Sequence, residues 1–520
     1  MASLAAGAAA GFAHPPFGFL PGLLGFAALL WLCDRVDPRR PLRSAFLRGW
    51  LAGLGYFAVS IWWVAEAFFV NAAEQGWMAP FAVAFLAGGM GLYWGGACAL
   101  YRRIAPAGAW RVLVFAGALA GLEWVRGHLL TGFPWDLPGE AWKAGGAASQ
   151  AASLVGAYGL TWITIAAAAT PGLGLAGRGA RIALALAALT IASLYGFGAW
   201  RLAQADRAVR PAGPLIRIVQ PNTPELAHYD VGDVVDILRR NLDLTARPAA
   251  RLPDIVVWSE AGVPAALNDY LAPGAWTRAD VAAALRPGQT LITGGYRHAD
   301  SPQGPLYYNS LLAMRRGPAD VAFTAIYDKH RLVPFGEFLP LDGLLSPLGV
   351  HELVHVGAGF TPGPPPRPIA PAGVPALQPL ICYESLFPEF VRDGARASGV
   401  RPAWIANLTD DAWFGITSGP WQHLNLASYR AIEEGLPVIR ATPTGVSAVI
   451  DPYGRVSAGE ILGPGVAGVI DSPLPAAAPP TVYFAWGEAP FLAMLLISLI
   501  SATLRRNGQG PSRVPSGTHS

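Results

Sequence analysis

Cysteine is scarce in this 520-residue chain, which has three: Cys33, Cys98 and Cys382. No CxxC pair occurs, and the nine histidines are scattered. The segment His351-Glu352-Leu353-Val354-His355 spaces two histidines by four. Pro and Gly around it argue against the helix that would place both on one face, so no metal is expected. Charge is also scarce, at 14% of residues against about a quarter in soluble domains. The formal net charge is +3 and no dense Lys/Arg run appears, which excludes a nucleic-acid partner. Gly-rich phosphate loops and internal repeats are absent, and no organic cofactor is expected. The one biased stretch is a Pro-rich connector at 361–375.

What is abundant is apolar sequence, 53% of the chain, and it is unevenly placed. A helix needs roughly 18 or more apolar residues to cross a bilayer core. Such spans fall at 17–33, 46–70, 78–100, 111–126, 149–171, 181–200 and 483–503, and a shorter apolar stretch at 2–13 reads as a first helix. Arginines cluster in alternate connections: 35–48, 102–111, 178–181 and the tail after 504. The intervening connections carry only Lys143. Eight helices with both ends in the cytoplasm fit this alternation. The expected organisation is a transmembrane domain of seven helices at 1–200, an external domain at 201–482, a last helix at 483–503 and a cytoplasmic tail at 504–520. Within the membrane half, Glu123 and Arg126 are spaced to form a structural ion pair, and Glu66 follows an aromatic run near an interface.

The external segment has a different texture. Short β-branched and aromatic runs separated by turn residues read as strands: LIRIVQPN, DIVVWSE, LITGGY, YYNSLLAM, FTAIYDK, LQPLICYE, PAWIANLT and VSAVIDPYG. VGDVVDILRRNLDLTAR and QHLNLASYRAIEEGL have helical spacing, so a layered α/β or α+β domain is expected.

Cys382 lies in this domain with no second cysteine to pair with, although an external compartment favours pairing. A lone thiol is more often inert than nucleophilic; a nucleophile also needs a base and a cation. Two other strands end in such groups. DIVVWSE delivers Glu260, a carboxylate emerging from a buried run, and FTAIYDK delivers Lys329, with Glu337 eight residues on. Glu, Lys and Cys, each at the mouth of a short apolar strand, form a candidate catalytic constellation.

VVWSEAGVP, YDKHRLVPFGEFLP and ICYESLFPE resemble the three signature segments of the nitrilase (carbon-nitrogen hydrolase) superfamily, whose Glu–Lys–Cys triad sits in an α-β-β-α sandwich. With HPPFGFLP and LEWVRGHLLTGFPW in the membrane half and DDAWFG and QHLNLASYRAIEEG outside, nearly the whole chain is similar to one membrane-bound branch, the apolipoprotein N-acyltransferases. The resemblance implies that Cys382 takes an acyl chain from a phospholipid as a thioester. Glu260 would then be the general base, and Lys329 would stabilise the oxyanion. Glu337, Tyr383, Glu384 and Asn309 would support the site, while Trp413 and Phe414 would line a substrate entrance. It implies a phosphatidylethanolamine-like donor acylated at sn-1, a diacylglyceryl apolipoprotein as acceptor and ping-pong transfer. It further implies a monomer in the bacterial inner membrane, with the catalytic domain in the periplasm.

The Leu- and Val-rich stretch 338–360 reads as a lid over the site. Four positions depart from the family pattern: Asp410 stands where Asn is usual, Pro443 interrupts an Ala-Thr-Asn-Thr-Gly segment, Asp136 replaces Asn, and Tyr229 replaces Trp. Two alternatives are a membrane-tethered amidase using the same triad and a non-catalytic envelope scaffold; the scaffold predicts loss of a triad member.

Overall fold

The computed structural model describes residues 1–207, 213–302, 304–340 and 359–503. Both the His351–His355 segment and most of the expected lid (341–358) lie outside the described residues.

A helix forms at each of the eight expected apolar positions: Ala2–Gly11, Gly25–Asp34, Pro41–Ser60, Ala79–Ile104, Arg111–His128, Ala152–Ala169, Arg178–Arg207 and Ala489–Thr503. Among the described residues, three helical stretches are long and apolar enough to cross a membrane: Ala72–Ile104, Ala148–Leu173 and Arg178–Arg207. The expected continuous span 46–70 is instead broken. Pro41–Ser60 and Trp62–Phe69 meet at 51°, and they make a fourth span only if taken together. The break turns Trp63 inward, where it is buried and its Nε1 donates to Gln422 Oε1 of the outer domain at 2.8 Å. The expected span 483–503 is likewise interrupted, at Gly487 (φ 58°), so its straight part begins at Ala489. Glu123 and Arg126 do form an ion pair, fully buried, and Trp94 Nε1 adds a 2.5 Å bond to Glu123. This satisfies a charge that would otherwise be costly among apolar helices.

The outer domain contains eleven described strands: β1 Leu215–Gln220, β2 Ile255–Val257, β3 Thr290–Ala299, β4 Leu306–Arg316, β5 Val321–Asp328, β6 Leu377–Ile381, β7 Trp404–Leu408, β8 Val438–Ala441, β9 Ser447–Ile450, β10 Val456–Leu462 and β11 Gly468–Pro473. They form two sheets, ordered β11-β1-β2-β3-β4-β5 and β10-β9-β8-β7-β6. β1, β2 and β3 run parallel in the first, β6, β7 and β8 in the second; the remaining pairs are antiparallel. Pro379 inside β6 is tolerated because β6 is an edge strand, with no partner wanting its missing N–H.

The sheets face each other through Ile216, Ile218, Val257, Ile292, Leu377, Ile381, Trp404 and Ile439. Helices Val231–Thr245 and Trp276–Ala284 cover the far side of the first sheet through Val234, Leu238 and Val281 against Trp258 and Leu291. On the second sheet lie Phe390–Ser398 and Gly419–Glu434, which gives the four-layer α-β-β-α sandwich. Gly419–Glu434 is buried nearly throughout because the membrane half covers it. Tyr429 Oη donates to Gly139 O at 3.0 Å, Asn425 Nδ2 to Glu140 O at 2.9 Å, and Glu433 Oε1 accepts from Ala157 N–H at 2.7 Å. Arg430, the helix's cation, pairs with Glu433 at 2.8 Å and faces Glu140 at 3.5 Å. The two halves therefore share one hydrophobic core.

Candidate active site

Parallel strands carry side chains to the carboxyl edge of a sheet, and the described site gathers there. Glu260 follows β2, Lys329 ends β5, Cys382 ends β6, and Thr409, Asp410 and Asp411 follow β7. The Lys329 ammonium, 1% exposed, lies 3.1 Å from Glu260 Oε1 and 2.9 Å from Glu337 Oε1. Asn309, from the middle of β4, donates Nδ2 to the same two oxygens, at 2.7 and 2.8 Å. Burial opposes the Lys329 charge, but the two carboxylates more than offset this and raise its pKa above the ordinary value. Glu337 is held in turn by Val333 N–H at 2.8 Å. One oxygen of Glu260 is thus committed, and Oε2 is buried without a hydrogen-bond partner. That oxygen is free to accept a proton.

Cys382 sits where β6 runs into the short 3-10 turn Cys382–Leu386, with φ of 47°. A side chain at positive φ is strained, and the contacts around it must over-determine the geometry. Ser385 Oγ lies 2.8 Å from the Cys382 carbonyl oxygen and 3.0 Å from His423 Nε2; His423 Nδ1 lies 2.9 Å from Asp411 Oδ1. Arg440 closes this chain on Asp411 at 2.7 Å, with both side chains fully buried. The residue as a whole is half-buried. Burial first, then the Glu260 carboxylate, pushes the thiol's pKa above its ordinary value. Lys329, the Thr409 hydroxyl and the Asp410 N–H pull the other way without cancelling this. These surroundings disfavour the thiolate, so activation calls for a base.

Glu384 joins two of the strand ends. It accepts from Ile381 N–H and Tyr327 Oη at 2.8 Å each, from His330 N–H at 2.7 Å and from Arg331 N–H at 3.2 Å, while burial pushes its carboxyl up to about 7. It is a brace between the Lys329 and Cys382 segments. Glu384→Ala, which strands these buried donors, is expected to cost about 3 kcal/mol or more. Thermal unfolding in detergent measures this, and an unchanged Tm would refute the brace.

A second local requirement lies at Gly294 in β3. A Cβ there would stand 2.3 Å from Glu260 O and 2.5 Å from Glu260 Cα. Gly294→Ala is expected to displace the Glu260 backbone and lower activity on the order of 10²-fold. A near-normal turnover rate for the folded variant would show that Glu260 tolerates the shift.

The sequence-predicted residues divide by location. Glu260, Lys329, Asn309 and Glu337 form one bonded cluster whose Glu260 and Lys329 charges act on Cys382, and Glu384 braces it. Tyr383 instead reaches the membrane half, donating to Gly132 O and stacking near Phe133 at 6.3 Å between ring centres. Phe414 inserts between the halves, 4.4 Å from Trp63 and 5.8 Å from Trp135, and Trp413 beside it is partly exposed. Glu66 lies against the same turn, its Oε2 2.8 Å from where a Cβ on Gly415 would stand. Sequence reading missed Thr409, His423 and Arg440; the signal available was a strand end, ANLTDD, carrying polar residues into a buried position. No cluster of His, Cys, Asp or Glu suited to a metal ion occurs among the described residues.

Known proteins share this arrangement of parts. The family model for the apolipoprotein N-acyltransferase N-terminal domain matches residues 6–170, and that for carbon-nitrogen hydrolases matches residues 215–470. An apolipoprotein N-acyltransferase of Caulobacter vibrioides is 53% identical over 506 residues, covering 97% of this chain and 94% of that protein. One from Rhodopseudomonas palustris is 37% identical over 526 residues, covering 98% of this chain and 95% of that protein. Among solved structures, an amidase from Nesterenkonia sp. aligns with a TM-score of 0.36 at 21% identity, covering 55% of this chain and 97% of that one.

Proposed function

This chain belongs to the apolipoprotein N-acyltransferase family, and from that premise we propose that it acylates the N-terminal α-amino group of diacylglyceryl-modified lipoproteins through a thioester on Cys382. The observation that carries this reading is the Glu260 carboxylate at the end of β2, whose one oxygen is tied to Lys329 and Asn309 and whose other is buried and without a hydrogen-bond partner. In the first half-reaction Glu260 Oε2 takes the thiol proton as sulfur attacks the acyl-ester carbonyl of a phospholipid. Lys329 stabilises the oxyanion. Collapse breaks the ester C–O bond, and Glu260 returns the proton to the departing lysophospholipid. In the second half-reaction the α-amine attacks the thioester carbonyl, its proton passes to Glu260, and the C–S bond breaks to regenerate the thiol. A carboxylate is suited to both directions because it only relays one proton.

The apolar helices that share a core with the outer domain support a membrane-borne donor such as phosphatidylethanolamine, for which Phe414 and Trp413 would line the entrance. Arginine placement supports an inner-membrane protein of eight spans with its catalytic domain in the periplasm. An impermeant protease that cleaves within 213–473 only from the cytoplasmic side would reverse that orientation.

Purified protein given phosphatidylethanolamine is expected to gain one fatty-acyl mass and release lysophospholipid. A diacylglyceryl peptide should then remove that mass and appear N-acylated. Release of free fatty acid with no acylated peptide would defeat the transferase reading and favour hydrolysis.

A further inference from the structure

Ser385, His423, Asp411 and Arg440 come from the turn after β6, the helix Gly419–Glu434, the turn after β7 and β8. Each is at most 1% exposed. Together they form an unbroken line of contacts ending on the Cys382 carbonyl oxygen, and the hydrogens along that line can be counted. Arg440 Nη2 donates to both Asp411 oxygens, at 2.8 and 2.7 Å, and Val446 N–H lies 3.4 Å from Oδ2. Asp411 is therefore an ionised carboxylate that only accepts. His423 Nδ1, 2.9 Å from Asp411 Oδ1, must carry a hydrogen.

Nε2, on the other side of the ring, lies 3.0 Å from Ser385 Oγ. In a neutral imidazole that nitrogen is a bare acceptor and needs the Ser385 hydrogen. A hydroxyl has only one hydrogen to give, and Ser385 Oγ also lies 2.8 Å from the Cys382 carbonyl oxygen, a second acceptor. Both contacts are hydrogen bonds only when Nε2 carries a hydrogen too. It then donates to Oγ, and Oγ donates to the carbonyl. The charged groups beside the ring are Asp411 and Arg440, and the turn bearing Ser385 and the Cys382 thiol faces it. Trp135 of the membrane half and Phe414 pack on it at 5.3 and 5.7 Å between ring centres and bring no charge. Burial and the Arg440 charge hold the His423 pKa below the usual histidine value, with Asp411 opposing them.

We propose that His423 is a positioning residue that acts as a proton-dependent latch on the turn carrying the nucleophile. With a hydrogen on both nitrogens, it leaves the Ser385 hydroxyl to hold the Cys382 carbonyl, and with it the residue's φ of 47°. Without the Nε2 hydrogen, it draws the hydroxyl to itself, and two oxygen lone pairs face each other at 2.8 Å. The carbonyl then turns away, and the sulfur shifts relative to Glu260 and Lys329. The latch rests on the reading of Cys382 as nucleophile. It is closed below the folded pKa of His423 and opens as pH rises through it. That window lies on the acid side of the ordinary histidine value of about 6.5.

The test follows formation of the acyl adduct from phosphatidylethanolamine in detergent micelles by intact mass, from about pH 5 to about pH 8, on wild type and Ser385→Ala. Both proteins share every other titration, Glu260 included, so the ratio of their rates isolates the latch. Wild type is expected to be faster on the order of tenfold at the acid end, and the ratio should fall to about one at the alkaline end. A ratio that is flat, as a merely structural hydroxyl would give, or that rises with pH overturns the latch. Protonation is read separately by nitrogen NMR on protein with isotope-labelled histidine, His423→Gln identifying the signal by its loss. The His423 Nε2 resonance should pass from bare to hydrogen-bearing as pH falls across the same range. A nitrogen that stays bare overturns the latch whatever the rates do. Absence of an adduct on the wild type at any pH, with that titration intact, overturns instead the nucleophile reading and the latch's part in it.

Discussion

Cys382→Ala is expected to lose acyl transfer on the order of 10⁴-fold or more while leaving the protein folded. The side chain is small and partly exposed, so its removal opens little cavity. Its chemical role has no substitute, because water in the same place lacks the positioned base, the cation and the strained turn together. Cys382→Ser should fare little better, since an alcohol is a far weaker acid than a thiol and Glu260 would have to accept its proton unaided. Neither variant should carry an acyl mass after exposure to phospholipid. An acyl adduct persisting on Cys382→Ala would place the nucleophile elsewhere. Glu260→Gln separates base from nucleophile: the thiol stays protonated, and the rate should fall by about 10²–10⁴-fold.

Lys329→Met is expected to damage both stability and rate. The ammonium lies between Glu260 and Glu337 with almost no exposure, so removing it leaves two buried carboxylates joined only by Asn309. Breaking a buried pair from one side costs about 3–5 kcal/mol. Loss of the oxyanion's cation should lower the rate on the order of 10³-fold beyond any unfolding. Thermal unfolding and single-turnover acylation, measured on the same preparation, read the two effects separately. Turnover within tenfold of wild type would remove Lys329 from the mechanism. The sign of the pH dependence follows from the raised Lys329 pKa. The ion pairs contribute fully below the ordinary lysine value of about 10.4 and are lost only as pH climbs through the higher folded value. Across neutral pH, Lys329 should add no slope to stability.

Much of the outer domain was legible in the sequence because strands announce themselves locally. DIVVWSE, LITGGY and LQPLICYE are β-branched or aromatic runs and each lies in a strand, the first and last with Glu260 and Cys382 following the strand end. VIRA at 438–441 was missed. It is four residues long and follows a helix directly, and β10 and β11 carry too many polar and Gly residues to stand out. In the membrane half, apolar length located the helices but not their breaks. The run IWWVAEAFF is apolar enough to continue a helix, and it bends because Trp63 finds a partner in Gln422, 359 residues away.

By itself, the sequence determined which residue types stand at the ends of short apolar strands and which half of the chain is apolar. Both depend only on local pattern and on the family motifs around Glu260, Lys329 and Cys382. Tertiary structure alone decided which atoms of those groups are free. Glu260 keeps one oxygen open because Asn309 from β4 occupies the other, and Cys382 holds a positive φ because Ser385, His423, Asp411 and Arg440 lie behind it. Hydrogen bonds between segments hundreds of residues apart leave no periodicity in a chain.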